Sequence, residues 1–235
     1  MRLRNYGVST YDEWYFERRV QYSKKIEVIQ RYYLKMLFWA SHASPWNLLD
    51  GQGKMALDVG CAYGFVKDLL DRLGYCAFGM DASRFAIRQG TKLRIDKLAL
   101  SDISHLPFRA SSFDLVTCFE VLEHVSDPKT ALNELHRILK PRGILLMSTP
   151  STGAIARLID LLTLEPFTSH ISIKSVDEWT KLLFEASFLV IKTQPFLLLP
   201  VPPRLLDRYF TLECPFRLSS HTRLLAVKIG HGVRT

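Results

Sequence analysis

No stretch of this 235-residue sequence reaches the roughly eighteen consecutive apolar residues that suggest a membrane-spanning helix. The most apolar short run, Phe196-Leu197-Leu198-Leu199-Pro200-Val201-Pro202-Pro203, is brief and broken by prolines. The start, Met1-Arg2-Leu3-Arg4-Asn5-Tyr6-Gly7, has no apolar segment of the signal-peptide kind. Cysteine is scarce: Cys61, Cys76, Cys118 and Cys214 are widely spaced and form no CxxC pair. Three of them lie in or beside apolar runs, where a free thiol behaves as a small hydrophobe. A reducing, cytoplasmic compartment suits that usage better than a disulfide framework. Histidines are dispersed, and His42, His105, His136, His221 and His231 form no compact spacing such as HExxH, so no metal site is expected. Nor is there a GxSxG elbow to activate a serine.

What is present is ordinary for one globular core: 48% hydrophobic and 23% charged residues. The 31 basic and 23 acidic residues leave a net charge of +8. That balance favours encounter with anions, including nucleic acid or an acidic membrane face, without choosing among them. Arg18, Arg19, Lys24, Lys25, Arg31 and Lys35 form either a solvated basic surface or a partner-binding patch.

Residues 1–50 read as an N-terminal helical extension to a main domain at 51–235. From about Glu13 to Ala43 the pattern is helical, with Val28, Ile29, Tyr32, Tyr33, Met36, Leu37 and Ala40 on one face. The rhythm then changes to short apolar strands alternating with amphipathic helices. Strands are expected at 55–59, 76–81, 98–101, 113–119, 144–149, 188–193 and 223–229, with helices at 65–73, 83–89, 128–139 and 176–186. Ser175, followed by Glu178, has the spacing of a capping box for the last of these helices. Nearly continuous apolar strands in such alternation imply an α/β fold with a mostly parallel sheet covered on both faces. Residues 151–173, with a short helix at 154–161, and 197–221, with a helix at 204–210, read as connections on the substrate side.

The chemistry concentrates where expected strands end. Leu57-Asp58-Val59-Gly60-Cys61-Ala62-Tyr63-Gly64 places a glycine directly after the first strand, where the chain turns sharply and a ligand can approach the backbone. In open parallel sheets, ligands collect at the carboxyl ends of the strands. Asp81 ends the second strand, and its two oxygens suit a ribose diol; capping of the turn at Ala82-Ser83 is the alternative. Asp102, after the third strand, can accept an adenine amino proton or cap its own turn. A nicotinamide dinucleotide would need a fuller three-glycine pyrophosphate turn than Gly60-Cys61-Ala62-Tyr63-Gly64-Phe65 offers.

Together with Gly79-Met80-Asp81, Leu106-Pro107-Phe108, Phe113-Asp114-Leu115-Val116, Glu120-Val121-Leu122-Glu123-His124-Val125 and Leu139-Lys140-Pro141-Arg142-Gly143, these segments resemble the class I S-adenosylmethionine-dependent methyltransferases, small-molecule branch, over about 54–193. The resemblance implies a Rossmann-like sheet of seven strands, the last antiparallel. It implies S-adenosyl-L-methionine as cofactor, with Asp58, Gly60, Cys61, Ala62 and Gly64 around its methionine portion. Asp81 and Ala82 would lie at its ribose, Asp102 and Ile103 at its adenine, and Phe119 and Glu120 where cofactor and acceptor meet. Ala62 stands where the family's middle glycine falls.

The implied reaction is methyl transfer to an oxygen, nitrogen or carbon of a small, moderately hydrophobic acceptor. RNA or protein methylation and noncatalytic cofactor binding are the alternatives. The segment Phe119-Glu120-Val121-Leu122 lacks the Asn-Pro-Pro-Tyr character that favours an exocyclic base nitrogen. A sulfonium cofactor already carries an electrophilic methyl group, so alignment of the acceptor and exclusion of water are the main needs. Where the acceptor atom bears a proton, His170 is the candidate base, in Thr168-Ser169-His170-Ile171. His124 reads as an organiser of the pocket.

Overall fold

The computed structural model describes residues 11–19, 21–152, 172–199, 210–215 and 219–230. Eight strands form one sheet: β1 (Met55–Val59), β2 (Cys76–Asp81), β3 (Leu98–Leu100), β4 (Phe113–Phe119), β5 (Leu139–Pro150), β6 (Phe188–Leu199), β7 (Phe210–Glu213) and β8 (His221–Lys228). Their order is β3-β2-β1-β4-β5-β8-β6-β7. The first five in that order pair in parallel, and β8 enters antiparallel between β5 and β6. The mostly parallel sheet with an antiparallel last strand is therefore present, and the four-residue β7 extends its edge beyond β6.

Burial on both faces explains the uninterrupted apolar character of the strands. On one face Ala56, Leu115, Ile144, Leu146 and Leu225 pack with α1 (Ile26–Ser41) and α2 (Phe65–Arg72), and Ala86 joins them from α3 (Arg84–Lys92). On the other, Leu57, Val116, Leu145, Met147 and Ala226 meet α4 (Pro128–Ile138) and α5 (Val176–Glu185). Alternate residues of one strand thus belong to opposite cores.

The extended N-terminal helix is subdivided. A π-helical turn covers Trp14–Arg19 and a 3-10 turn covers Tyr22–Lys25, and the regular helix begins only at Ile26. Gln21 lies between the turns at φ 51, a left-handed conformation that no continuous right-handed helix contains. The break lets Phe16 contact Tyr63 at 5.2 Å while Tyr22 stacks on Phe65 at 5.1 Å. Within α1 the expected face holds, since Ile29, Met36, Leu37 and Ala40 are buried.

Several boundaries differ from expectation, among them the start of the last strand, which begins at His221 and not at 223. Leu139 belongs to β5, not to α4, because it pairs with Phe113 before the register shifts to Leu115 opposite Ile144. β6 runs to Leu199, with Pro195 inside it, at a position where only β8 pairs with it. The expected helix at 154–161 and all but Phe210 of that at 204–210 lie outside the described residues, and Phe210 itself begins β7. Most of 151–173 and 197–221, the connections expected on the substrate side, lies outside them too.

The capping box at α5 is formed: Ser175 Oγ accepts from the Glu178 amide at 3.3 Å, and Glu178 Oε2 accepts from the Ser175 amide at 2.7 Å. Ser175→Ala should therefore lower the free energy of unfolding by about 1 kcal/mol. Urea unfolding of the two proteins checks this, and equal midpoints would show that the cap contributes nothing.

Candidate active site

The parallel register decides which acids meet. Asp58 pairs with Gly79 on β2 and with Thr117 on β4, and Asp81 pairs with Leu100 on β3. The carboxyl ends of β1, β2, β3 and β4 thereby form one rim, with Asp58, Asp81, Asp102 and Glu120 along it.

Asp58 is buried. Its Oδ1 accepts a hydrogen bond from Thr117 Oγ1 at 2.8 Å, and its Oδ2 has no partner. Burial pushes its carboxyl up to about 7, against the opposing Thr117 hydrogen bond and with a further push from Asp81. Directly after β1 the chain turns at Gly60, φ 72, where the Gly60 and Cys61 amides both donate to the Met80 carbonyl. A Cβ at Gly60 would sit 2.2 Å from Val121 Cγ2. Ala62 also adopts a positive φ, 49°, and Gly64 follows at 86°. A glycine at position 62 would take that conformation freely, whereas alanine holds it at a cost of about 1 kcal/mol.

Asp81 secures this turn: Oδ2 accepts from the Ala62 amide at 2.8 Å and Oδ1 from the Ser83 amide at 2.7 Å. The capping alternative is formed at Ala82-Ser83, where Asp81 Oδ1 takes the Ser83 amide and Ser83 caps α3 through its own hydroxyl. Burial holds the Asp81 carboxyl above the usual carboxylate range despite these amides. Beside it lies a cleft of about 470 Å³ walled by Tyr11, Ala82, Ser83, Phe85, Leu100 and Asp102, among others. Asp102 is exposed and accepts from the Ser104 amide at 2.7 Å, while Ile103 beside it is buried. Cys61 is buried, its thiol pushed up first by burial and then by Asp58 and Asp81.

Phe119 ends β4 and stacks on Tyr33 of α1 at 4.4 Å. Glu120 follows at φ 54, its amide donating to the Ser148 carbonyl and its Oε1 accepting from Ser148 Oγ at 2.5 Å. Glu123 is fully enclosed, with neither carboxylate oxygen hydrogen-bonded, and burial followed by Glu120 raises its carboxyl well above the ordinary range. His124 packs edge-on against Tyr11 at 5.5 Å. His170 lies outside the described residues.

Sequence reasoning missed Thr117, which reads simply as a β-branched strand residue, and it set His221 aside as isolated. His221 in fact reaches the rim: its Nε2 is 3.6 Å from Glu120 Oε2. The available signal was the antiparallel sense of the last strand, which delivers its first residue to the end where parallel strands deliver their last. Among the described residues no three His, Cys, Asp or Glu side chains are grouped to hold a metal ion.

Two substitutions probe this geometry. Gly60→Ala should destabilise by roughly 1–2 kcal/mol from the left-handed backbone and by about 1–3 kcal/mol more from the Val121 overlap. Adding Val121→Ala should recover only the second part, and complete recovery in thermal unfolding would show that φ contributes nothing. Because folding raises Asp58 from 3.8 to about 7, the folded chain holds this proton more tightly than the unfolded one. Stability contributed through Asp58 therefore falls as pH rises between those values and is level above them. The difference between wild type and Asp58→Asn in urea unfolding should follow that course, and parallel pH profiles would refute the shift.

The model of the family described as "Methyltransferase domain" matches residues 57–147, the span from β1 through most of β5. The ubiquinone biosynthesis O-methyltransferase of Haemophilus ducreyi is 35% identical over 107 residues, covering 41% of this chain and 45% of that protein. The mitochondrial enzyme of the same description from Schizosaccharomyces pombe is 33% identical over 156 residues, covering 59% and 56%. The chain thus spans about half the length of the curated relatives it matches. Among solved structures, a possible histamine N-methyltransferase from Thermotoga maritima aligns with a TM-score of 0.65 at 21% identity, covering 91% of this chain and 97% of that one. Magnesium protoporphyrin IX methyltransferase from Synechocystis, solved with bound SAH, aligns at 0.61 and 19% identity, covering 87% and 86%. These likenesses show the fold.

Proposed function

We propose that the chain, whose segment 57–147 matches the methyltransferase-domain model, is a class I S-adenosylmethionine-dependent methyltransferase that transfers the methyl group of S-adenosyl-L-methionine to an oxygen of a small, hydrophobic acceptor. The observation that carries the reading is the buried Asp58 oxygen without a partner, set beside a glycine turn on the rim that also holds Asp81 and Asp102. A buried carboxylate lacking a donor is costly unless a ligand supplies one. The cofactor offers an ammonium for Asp58, a diol for Asp81 and an amino group for Asp102, so the residues present fit it.

In this reading Asp58, Gly60, Cys61, Ala62 and Gly64 hold the methionine portion, Asp81 and Ala82 the ribose, and Asp102 and Ile103 the adenine. Phe119 and Glu120 border the reacting end. When bound, the cofactor supplies a methyl group already activated by sulfonium charge. The protein's part is to position the acceptor and exclude water. Tyr33, stacked on Phe119, and the aromatic residues of 11–25 close one side of this region. The choice of oxygen and of a hydrophobic small molecule draws on the names of the O-methyltransferase relatives. No helix among the described residues is long and apolar enough to cross a membrane.

Calorimetry with S-adenosylmethionine and S-adenosylhomocysteine tests binding. Affinity should be level above pH about 7 and should weaken by up to tenfold per unit below it, because the ammonium pairs with ionised Asp58. Asp58→Asn should bind weakly and lose that pH dependence. Labelled methyl transfer into a cell extract, with the product identified by mass spectrometry, should yield a small O-methylated molecule. Labelled RNA or protein instead would overturn the acceptor assignment, and binding without a labelled product would overturn the enzymatic one.

A further inference from the structure

His221 stands first in β8, the strand that runs against the parallel ones. Its pairing with Pro150, the last residue of β5, sets it on the same rim as Asp58, Asp81 and Glu120. The residues assigned to the cofactor leave it unused. Its half-buried ring stacks on Phe196 with centroids 5.6 Å apart and planes inclined by 24°. Ser220 Oγ lies 2.8 Å from Nδ1, and Glu120 Oε2 lies 3.6 Å from Nε2. Glu120 is fixed in turn by the Ser148 hydroxyl and by its own amide bond to the Ser148 carbonyl.

With Nδ1–H donating to Ser220, Nε2 carries the lone pair. A neutral Nε2 makes no hydrogen bond to a carboxylate 3.6 Å away, but a protonated one forms an ion pair with it. In that tautomer Nε2 is the proton-accepting atom, and it stands 3.6 Å from Glu120 Oε2. The other charges around it are accounted for. Arg223 lies over the same Phe196 ring at 5.7 Å and is engaged by Gln194 and by Glu213 at 3.3 Å. Tyr32 of α1 approaches that ring at 6.5 Å. Glu123, next to Glu120, is held towards its neutral form by burial and so adds little negative charge.

We propose that His221 is the base that takes the acceptor's hydroxyl proton, with Ser220 and Glu120 as positioning residues. The proposal rests on the methyl-transfer reading above. A lone pair of the acceptor oxygen forms the bond to the methyl carbon while the carbon–sulfur bond breaks, its electron pair staying on sulfur. The hydroxyl proton moves to Nε2 of His221. One positive charge, on sulfonium before the step, resides on imidazolium after it, beside the Glu120 carboxylate.

The test compares wild type, His221→Gln, Ser220→Ala and Glu120→Gln in labelled transfer to the acceptor captured from extract, over pH about 6 to 9. His221→Gln should lose about 100-fold or more in kcat. Its S-adenosylhomocysteine affinity by calorimetry should be unchanged, and its rate should climb with pH without the wild-type plateau. A readout independent of turnover is the ring nitrogen NMR of His221. The neutral ring should be protonated at Nδ1 in wild type. Wild-type kcat and pH profile in His221→Gln would overturn the base while leaving methyl transfer intact. A neutral ring protonated at Nε2 would overturn it even if that variant failed to fold. Wild type that binds cofactor but labels nothing would overturn the function reading, and this one with it.

Discussion

The Asp81 carboxylate joins two loops that the chain separates by some twenty residues. One oxygen takes the Ala62 amide, in the turn after β1, and the other takes the Ser83 amide, at the start of α3. Hydrogen bonds to a charged acceptor are worth about 1.5–3 kcal/mol each, enough to offset the left-handed backbone at Ala62. The turn keeps its shape because β2 ends in an acid, and β2 ends beside that turn because it pairs in register with β1. Remove this tie and the Gly60 turn, the Asp58 carboxyl and the Tyr11-lined cleft lose their common reference.

The same rim carries polar groups that a structure selected for stability alone would not bury. Asp58 and Glu123 both present carboxylate oxygens without donors, and both titrate upward because burial disfavours their charged forms. They lie at the end of β1 and just beyond β4, neighbours in the sheet. Unsatisfied groups of this kind cluster where a ligand completes them. The opposite ends of these strands hold no comparable set among the described residues.

Aromatic packing supplies the roof. Phe16, Tyr22, Tyr63, Phe65 and Phe85 contact one another around the start of α2, and Glu17 accepts from the Tyr63 hydroxyl at 2.5 Å. The left-handed Gln21 divides the segment so that both of its halves reach this cluster. A single straight helix would present Phe16 and Tyr22 six residues apart, about 120° out of phase around its axis. The described part of the Glu13–Trp46 region thus serves as a layer of the core.

Much of the architecture was legible in the chain alone. Short apolar runs such as Met55–Val59 and Phe113–Phe119 must be strands buried on both faces, because their period admits no solvent side. Gly60 and Asp81 announce a rim site by type and spacing, and Ser175 with Glu178 announces a helix start. These features are local, set by backbone sterics and by hydrogen bonds a few residues long. The subdivision at Gln21, the early start of β5 at Leu139, the partnership of Thr117 with Asp58 and the arrival of His221 beside Glu120 were decided only by the tertiary structure. Each depends on contacts between residues far apart in sequence, whose direction and register no local pattern encodes.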